Sequence, residues 1–158
     1  MKNDRFLMMI ILSVAALVIA ALALFFIRRD DQQYGPEDSP EGVVRNYLLA
    51  LQKGDYERSY AYLADDDNKP AFDDYQNDLL VLSRELANIS VQLGETNQTG
   101  EKALVNLTLI HAAGGPFADS WRETNTALMV KDSTGAWKIA RMPYPLWGPA
   151  WYPVKSPD

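Results

Sequence analysis

The sequence predicts an α+β domain carried behind a single N-terminal transmembrane helix, and three observations predict it. Phe6–Ile27 is an unbroken uncharged run, apolar spacing is helical from Ser39 to about Leu86, and from Ala87 it changes to the alternation of strands. Three helices followed by an antiparallel meander of about four strands is the α+β pattern. In order, the chain divides into a leader (1–5), the helix (6–27), a linker (28–39), the domain (40–142) and a Pro/aromatic tail (143–158).

The run FLMMIILSVAALVIAALALFFI has 22 residues with Ser13 as its one polar side chain. A helix of that length measures about 33 Å, enough for a hydrocarbon core of about 30 Å. Ala21-Leu22-Ala23 has the A-x-A form of a cleavage site, but the apolar run exceeds the 7–15 residues of a signal-peptide core, so an uncleaved signal anchor is expected. Lys2 and Arg5 before the helix nearly balance Arg28 and Arg29 after it. The short leader favours a cytoplasmic N-terminus and an extracytoplasmic domain in the cell membrane. Ser13, Ala16, Ala20 and Ala23 put small side chains on one helix face, which allows close approach of a partner helix or reflects the ordinary abundance of alanine in such helices.

The chain has 15 Lys and Arg against 21 Asp and Glu, and no cysteine. Setting aside Lys2, Arg5, Arg28, Arg29 and Asp4 leaves residues 30–158 at about −9, which argues against nucleic acid as a partner. The missing cysteine excludes disulfides, a thiol nucleophile and Cys-ligated metal.

Arg28–Ser39 is polar with a Gly35-Pro36 break, the composition of a tether. Ser39-Pro40-Glu41 is a helix start, and Val43, Val44, Tyr47, Leu48 and Leu51 follow helical spacing up to Lys53-Gly54. Asp55 caps a second short helix with Tyr56, Tyr60 and Leu63 on one side. Asp65–Pro70 is a loop whose spacing departs from a calcium-binding loop at the fifth, sixth and twelfth positions. Pro70 to about Leu86 is a third helix with Phe72, Tyr75, Leu79 and Leu82 as its buried stripe.

Ile89, Val91 and Leu93 form a first strand, and Gly94–Gly100 reads as its turn. The spacing there is wrong for a P-loop, and no helix follows. Ala103, Val105, Leu107 and Leu109 mark one face of the second strand, and Gly114-Gly115-Pro116 breaks it. Trp121–Val130 is the third strand, Asp132–Gly135 a hairpin turn, and Ala136–Met142 the fourth strand with Trp137 and Ile139 inward. The tail carries Tyr144, Trp147, Trp151 and Tyr152 among five prolines, a density that favours extended structure. Its rings cover the open end of the sheet, anchor a partner protein or touch lipid.

Ser39–Leu63, with Gly54-Asp55-Tyr56 at its corner and Tyr60-x-x-Leu63 after it, resembles the opening of the NTF2-like superfamily, in particular its small bacterial membrane-anchored members. The later order of helix and four strands, ending in Trp137-Lys138-Ile139, is similar too. The resemblance implies a curved sheet wrapped on helices to form a cone with a cavity. Its enzymes place an Asp or His inside the cone, and here no family catalytic motif falls on a matching residue.

His111, the one histidine, continues the face of Val105, Leu107 and Leu109 and is the candidate pocket residue. Without an identified carboxylate partner it reads as structural before it reads as a general base. No catalytic, cofactor-binding or metal-binding set is recognisable. The expected function is therefore a non-catalytic, single-pass accessory subunit contacting other membrane proteins through Ser13, Ala16, Ala20, Ala23, Tyr144, Trp147, Trp151 and Tyr152. A module for a small apolar ligand and an enzyme using His111 are the alternatives.

Overall fold

The computed structural model of the chain describes residues 3–29, 33–67, 69–112 and 120–151, with the side chains of the first helix described over 8–24. The chain forms two compact units, Met1–Gln33 and Tyr34–Asp158. The first is helix α1 (Asn3–Arg29). Its 27 residues rise about 40 Å. Its described side chains are exposed, and the Ser13 hydroxyl donates back to the Met9 and Ile10 carbonyls at 3.0 and 2.9 Å. That bond leaves the run without an unsatisfied polar group. Among the described residues, no helix is long and apolar enough to cross a membrane.

The second unit opens with α2 (Pro40–Lys53). Ser39 caps it, its Oγ accepting from the Gly42 N–H at 3.1 Å, and Pro40 stands in the first turn, where no backbone donor is needed. Gly54 closes it at φ 69°, in the left-handed region. Asp55 then caps α3 (Tyr56–Ala61), accepting from the Arg58 N–H at 3.2 Å. Helix α4 (Phe72–Leu86) begins two residues later than Pro70 suggested and buries Tyr75, Leu79 and Leu82.

The sheet is a meander of β1 (Ile89–Thr99), β2 (Lys102–His111), β3 (Trp121–Lys131) and β4 (Trp137–Arg141) in that order, antiparallel throughout. Strand β1 does not end at Leu93. It runs through the polar stretch to Thr99, with a register irregularity between Leu93 and Thr96, and the turn is Gly100-Glu101. Pairing with β2 satisfies one side of this backbone, and water can reach the other at the edge of the sheet, so the stretch needs no apolar face of its own. Beyond β4, Ile139 donates to the Tyr62 carbonyl and accepts from the Ala64 N–H, both at 2.8 Å, so that margin of the sheet is paired. The core joins Ala103, Val105, Leu107, Leu109, Ala127, Met129 and Ile139 of the sheet to Val43, Val44, Tyr47, Tyr75 and Leu79 of the helices.

Two segments that the sequence sets outside the domain, the linker and the tail, belong in their described parts to the same unit. Leu146, Trp147 and Trp151 are buried, the last in a short 3₁₀ turn at Pro149–Trp151 rather than an extended run. Trp151 stacks on Tyr75 at 5.1 Å between ring centroids, and its Nε1 donates to Asp78 Oδ2 at 3.0 Å. The Tyr47 hydroxyl donates to the Leu146 carbonyl at 2.7 Å. The folded unit therefore extends past Met142 to at least Trp151, and the rings of Trp147 and Trp151 are spent internally rather than offered to a partner.

Residues 34–39 likewise lie on the α2–α3 corner instead of hanging free. Asn46 is fully buried, accepts from the Gly35 N–H and donates to the Gly35 carbonyl, both at 2.9 Å. A Cβ on Gly42 would meet the Pro36 carbonyl oxygen at 2.3 Å, so glycine is what lets this segment lie so close to α2. The Arg58 guanidinium sits 3.5 Å over the Tyr34 ring. Glu37 Oε1 accepts from the Tyr62 hydroxyl at 2.6 Å and from Arg58 and Asn46 at 3.3 Å each.

The Tyr62 hydrogen bond, with help from Arg58 and Asn46, holds the Glu37 carboxyl below the usual carboxylate range. Folding therefore favours the charged form. The stabilisation is present above the ordinary glutamate pKa and is lost as pH falls through the lowered value. Melting of the parent and of Glu37→Gln should differ at neutral pH and converge in acid. The difference should be modest, because both Glu37 and Arg58 are partly exposed. Curves separated equally at all pH values would contradict this.

Candidate functional site

The face of the sheet that packs on the helices is apolar at one end and polar at the other. The β2–β3 register sets Ala103 opposite Met129, Val105 opposite Ala127, Leu107 opposite Asn125, Leu109 opposite Glu123 and His111 opposite Trp121. Alternation places these residues on one face. Ala127 and Met129 are fully buried, whereas Trp121 and Glu123 are exposed. A pocket of about 810 Å³ opens at this polar end. Its other walls include Glu85 at the end of α4, Asn88 and Ile89 at the start of β1, and Arg141 to Pro145 from the last residue of β4 onward.

His111 and Trp121, directly opposite across the strand pair, stack at 3.6 Å with 3° between their planes. His111 Nε2 is buried without a hydrogen bond and lies 3.8 Å from Glu123 Oε2. That distance is too long for a hydrogen bond, and it makes an ion pair only when the imidazole is protonated. Glu123 Oε1 accepts from Asn125 Nδ2 at 2.6 Å, which fixes the carboxylate. The Tyr144 hydroxyl donates to Glu85 Oε2 at 2.6 Å, and that bond raises the Tyr144 pKa by favouring the neutral phenol.

His111 thus has the carboxylate neighbour that the sequence did not reveal, and the pocket wall is not mainly apolar. Trp121, Glu123 and Asn125 were missed because their inward side is set by the β2–β3 register. The signal available was their even spacing with Ala127 and Met129 along one strand. Of the other candidates, Tyr144 lines the pocket, Trp147 and Trp151 lie in the core, and Tyr152 lies outside the described residues. Ser13, Ala16, Ala20 and Ala23 are exposed on α1, in the other unit. Gly114, Gly115 and Pro116 also lie outside the described residues. Among the described residues no group of three His, Asp or Glu side chains is placed to hold a metal.

No family model and no curated protein matches the chain. Among solved structures it is similar to a SEC-C motif protein of Rhodopseudomonas palustris, with 12% identity over 68% of this chain and 79% of that one, at a TM-score of 0.50. It is also similar to a ketosteroid isomerase-like protein of Shewanella frigidimarina (25% identity, 65% and 92% covered, TM-score 0.49). An NTF2-like transpeptidase of Campylobacter jejuni is a further neighbour (15% identity, 66% and 99% covered, TM-score 0.44). Structural neighbours thus include NTF2-like proteins, and the likeness concerns fold, not activity.

Proposed function

We propose that the domain is an NTF2-like binding module that holds a small molecule between His111, Trp121 and Glu123 on the sheet and the Arg141–Pro145 segment, with α1 keeping it at a membrane. One observation carries the binding reading. The aliphatic row on the helix-covered face of the sheet gives way to Trp121, Glu123 and Asn125 where a pocket of ligand size opens. The membrane part rests on the sequence alone, on the uncharged run Phe6–Ile27, of which the described side chains cover only 8–24, too short a stretch to count as a span.

Extraction in mild detergent followed by native mass spectrometry tests this. The parent should carry a bound small molecule, and Trp121→Ala should lose most of it, by about tenfold in occupancy. A stoichiometric partner protein with no small molecule would instead favour the accessory-subunit reading, which still has the small-residue face of α1 behind it.

A second reading, proton transfer at His111, is favoured by the facing carboxylate of Glu123, the pairing that general acid–base catalysis uses. Its mark would be conversion of the bound molecule that disappears in His111→Gln while binding remains.

A further inference from the structure

We infer that the pocket selects a ligand with a positive charge, a protonated amine or quaternary ammonium on an apolar body; the inference rests on the binding reading above. Two carboxylates from different elements, Glu85 of α4 and Glu123 of β3, line the pocket. Each is held through one oxygen: Asn125 bonds Oε1 of Glu123, and Tyr144 bonds Oε2 of Glu85. The second oxygen of each carboxylate accepts no hydrogen bond among the described residues, so each keeps acceptor capacity for a cation. Both orientations are fixed before a ligand arrives, which lowers the ordering cost of binding.

The same pocket has an aromatic platform. His111 covers one face of Trp121 at 3.6 Å, yet Trp121 remains 54% exposed as a residue, which leaves the other face for a ligand. An indole face beside carboxylates attracts an organic cation through both its quadrupole and their charge. Tyr144, 47% exposed, adds a second ring at the rim. Among the described lining residues, Arg141 is the one guanidinium against these two carboxylates. The surrounding domain, at about −9 over residues 30–158, raises the local concentration of cations and lowers that of anions.

Three probes that share a phenyl ring separate the possibilities: benzyltrimethylammonium, benzyl alcohol and benzoate, titrated into the full chain in a neutral detergent and read by NMR at the Trp121 indole. The ammonium should bind about tenfold more tightly than the alcohol, with benzoate weakest. Glu123→Gln and Glu85→Gln should each weaken the ammonium by about fivefold and leave the alcohol within about twofold. Equal binding of ammonium and alcohol, or tightest binding of benzoate, overturns the charge selectivity and leaves the pocket standing. If none of the three moves the Trp121 resonance at millimolar concentration, the binding reading falls with it. Should a glutamine variant not fold, the ranking on the parent decides alone.

Discussion

Trp151→Ala should destabilise the folded domain by about 3–5 kcal/mol, the range for truncating a large buried ring. The residue is 5% exposed, stacks on Tyr75, meets Trp147 edge-on at 5.1 Å and ties Asp78 through its indole nitrogen. Removing it opens a cavity against two rings and takes away the indole that Asp78 accepts from. Thermal melting should fall by more than about 10 °C. Trp151→Phe keeps a ring on Tyr75 and loses the hydrogen bond, so it should cost less, nearer 1–2 kcal/mol. A Trp151→Ala protein that melts within about a degree of the parent would mean that the tail is a detachable arm after all.

Asn46→Ala should cost about 2–4 kcal/mol, although the side chain is small and no cavity of consequence results. Asn46 satisfies both the N–H and the carbonyl of Gly35 and donates to Glu37, and the variant leaves those backbone groups partly enclosed without partners. Breaking one side of a buried hydrogen-bonded pair costs more than the bond itself contributes. Denaturant unfolding gives the magnitude. Limited proteolysis gives the location, since cleavage between Tyr34 and Ser39 should become fast in the variant. Asn46→Asp is the informative control. It keeps an acceptor for Gly35 but loses both donors and sets a charge beside Glu37, so it should be no better than alanine. Wild-type stability in both variants would refute the role assigned to Asn46.

The helices were legible because their signals are local. Ser39-Pro40, Lys53-Gly54 and Asp55 specify caps through residues within a turn of one another, and the Tyr75, Leu79, Leu82 stripe declares its own buried side. Strand β2 was legible for the same reason, its apolar row alternating without interruption from Ala103 to Leu109. What escaped depends on partners distant in sequence. The end of β1 looks like a turn by composition and is a strand because β2 pairs with it. Trp151 finds Asp78 and Tyr75 more than seventy residues away, and no spacing within the tail announces that. Asn46 interrupts the α2 stripe between Val43 and Tyr47, a polar residue at an apolar position, which was a visible clue with no visible partner. The pocket is the extreme case. His111 was visible, but its neighbour Glu123 reaches it only through the register of β2 on β3.

The two margins of the sheet differ in a way that bears on self-association. On the β4 side, Leu63 already occupies the ladder, so no foreign chain can add there without displacing it. On the β1 side the ladder ends, but the strand carries Ser90, Gln92, Glu95, Asn97 and Gln98, and its register slips between Leu93 and Thr96. Polar side chains and a broken register make a poor template for the regular pairing that builds fibrils. An irregular, hydrophilic rim of this kind disfavours edge-to-edge addition of a second sheet.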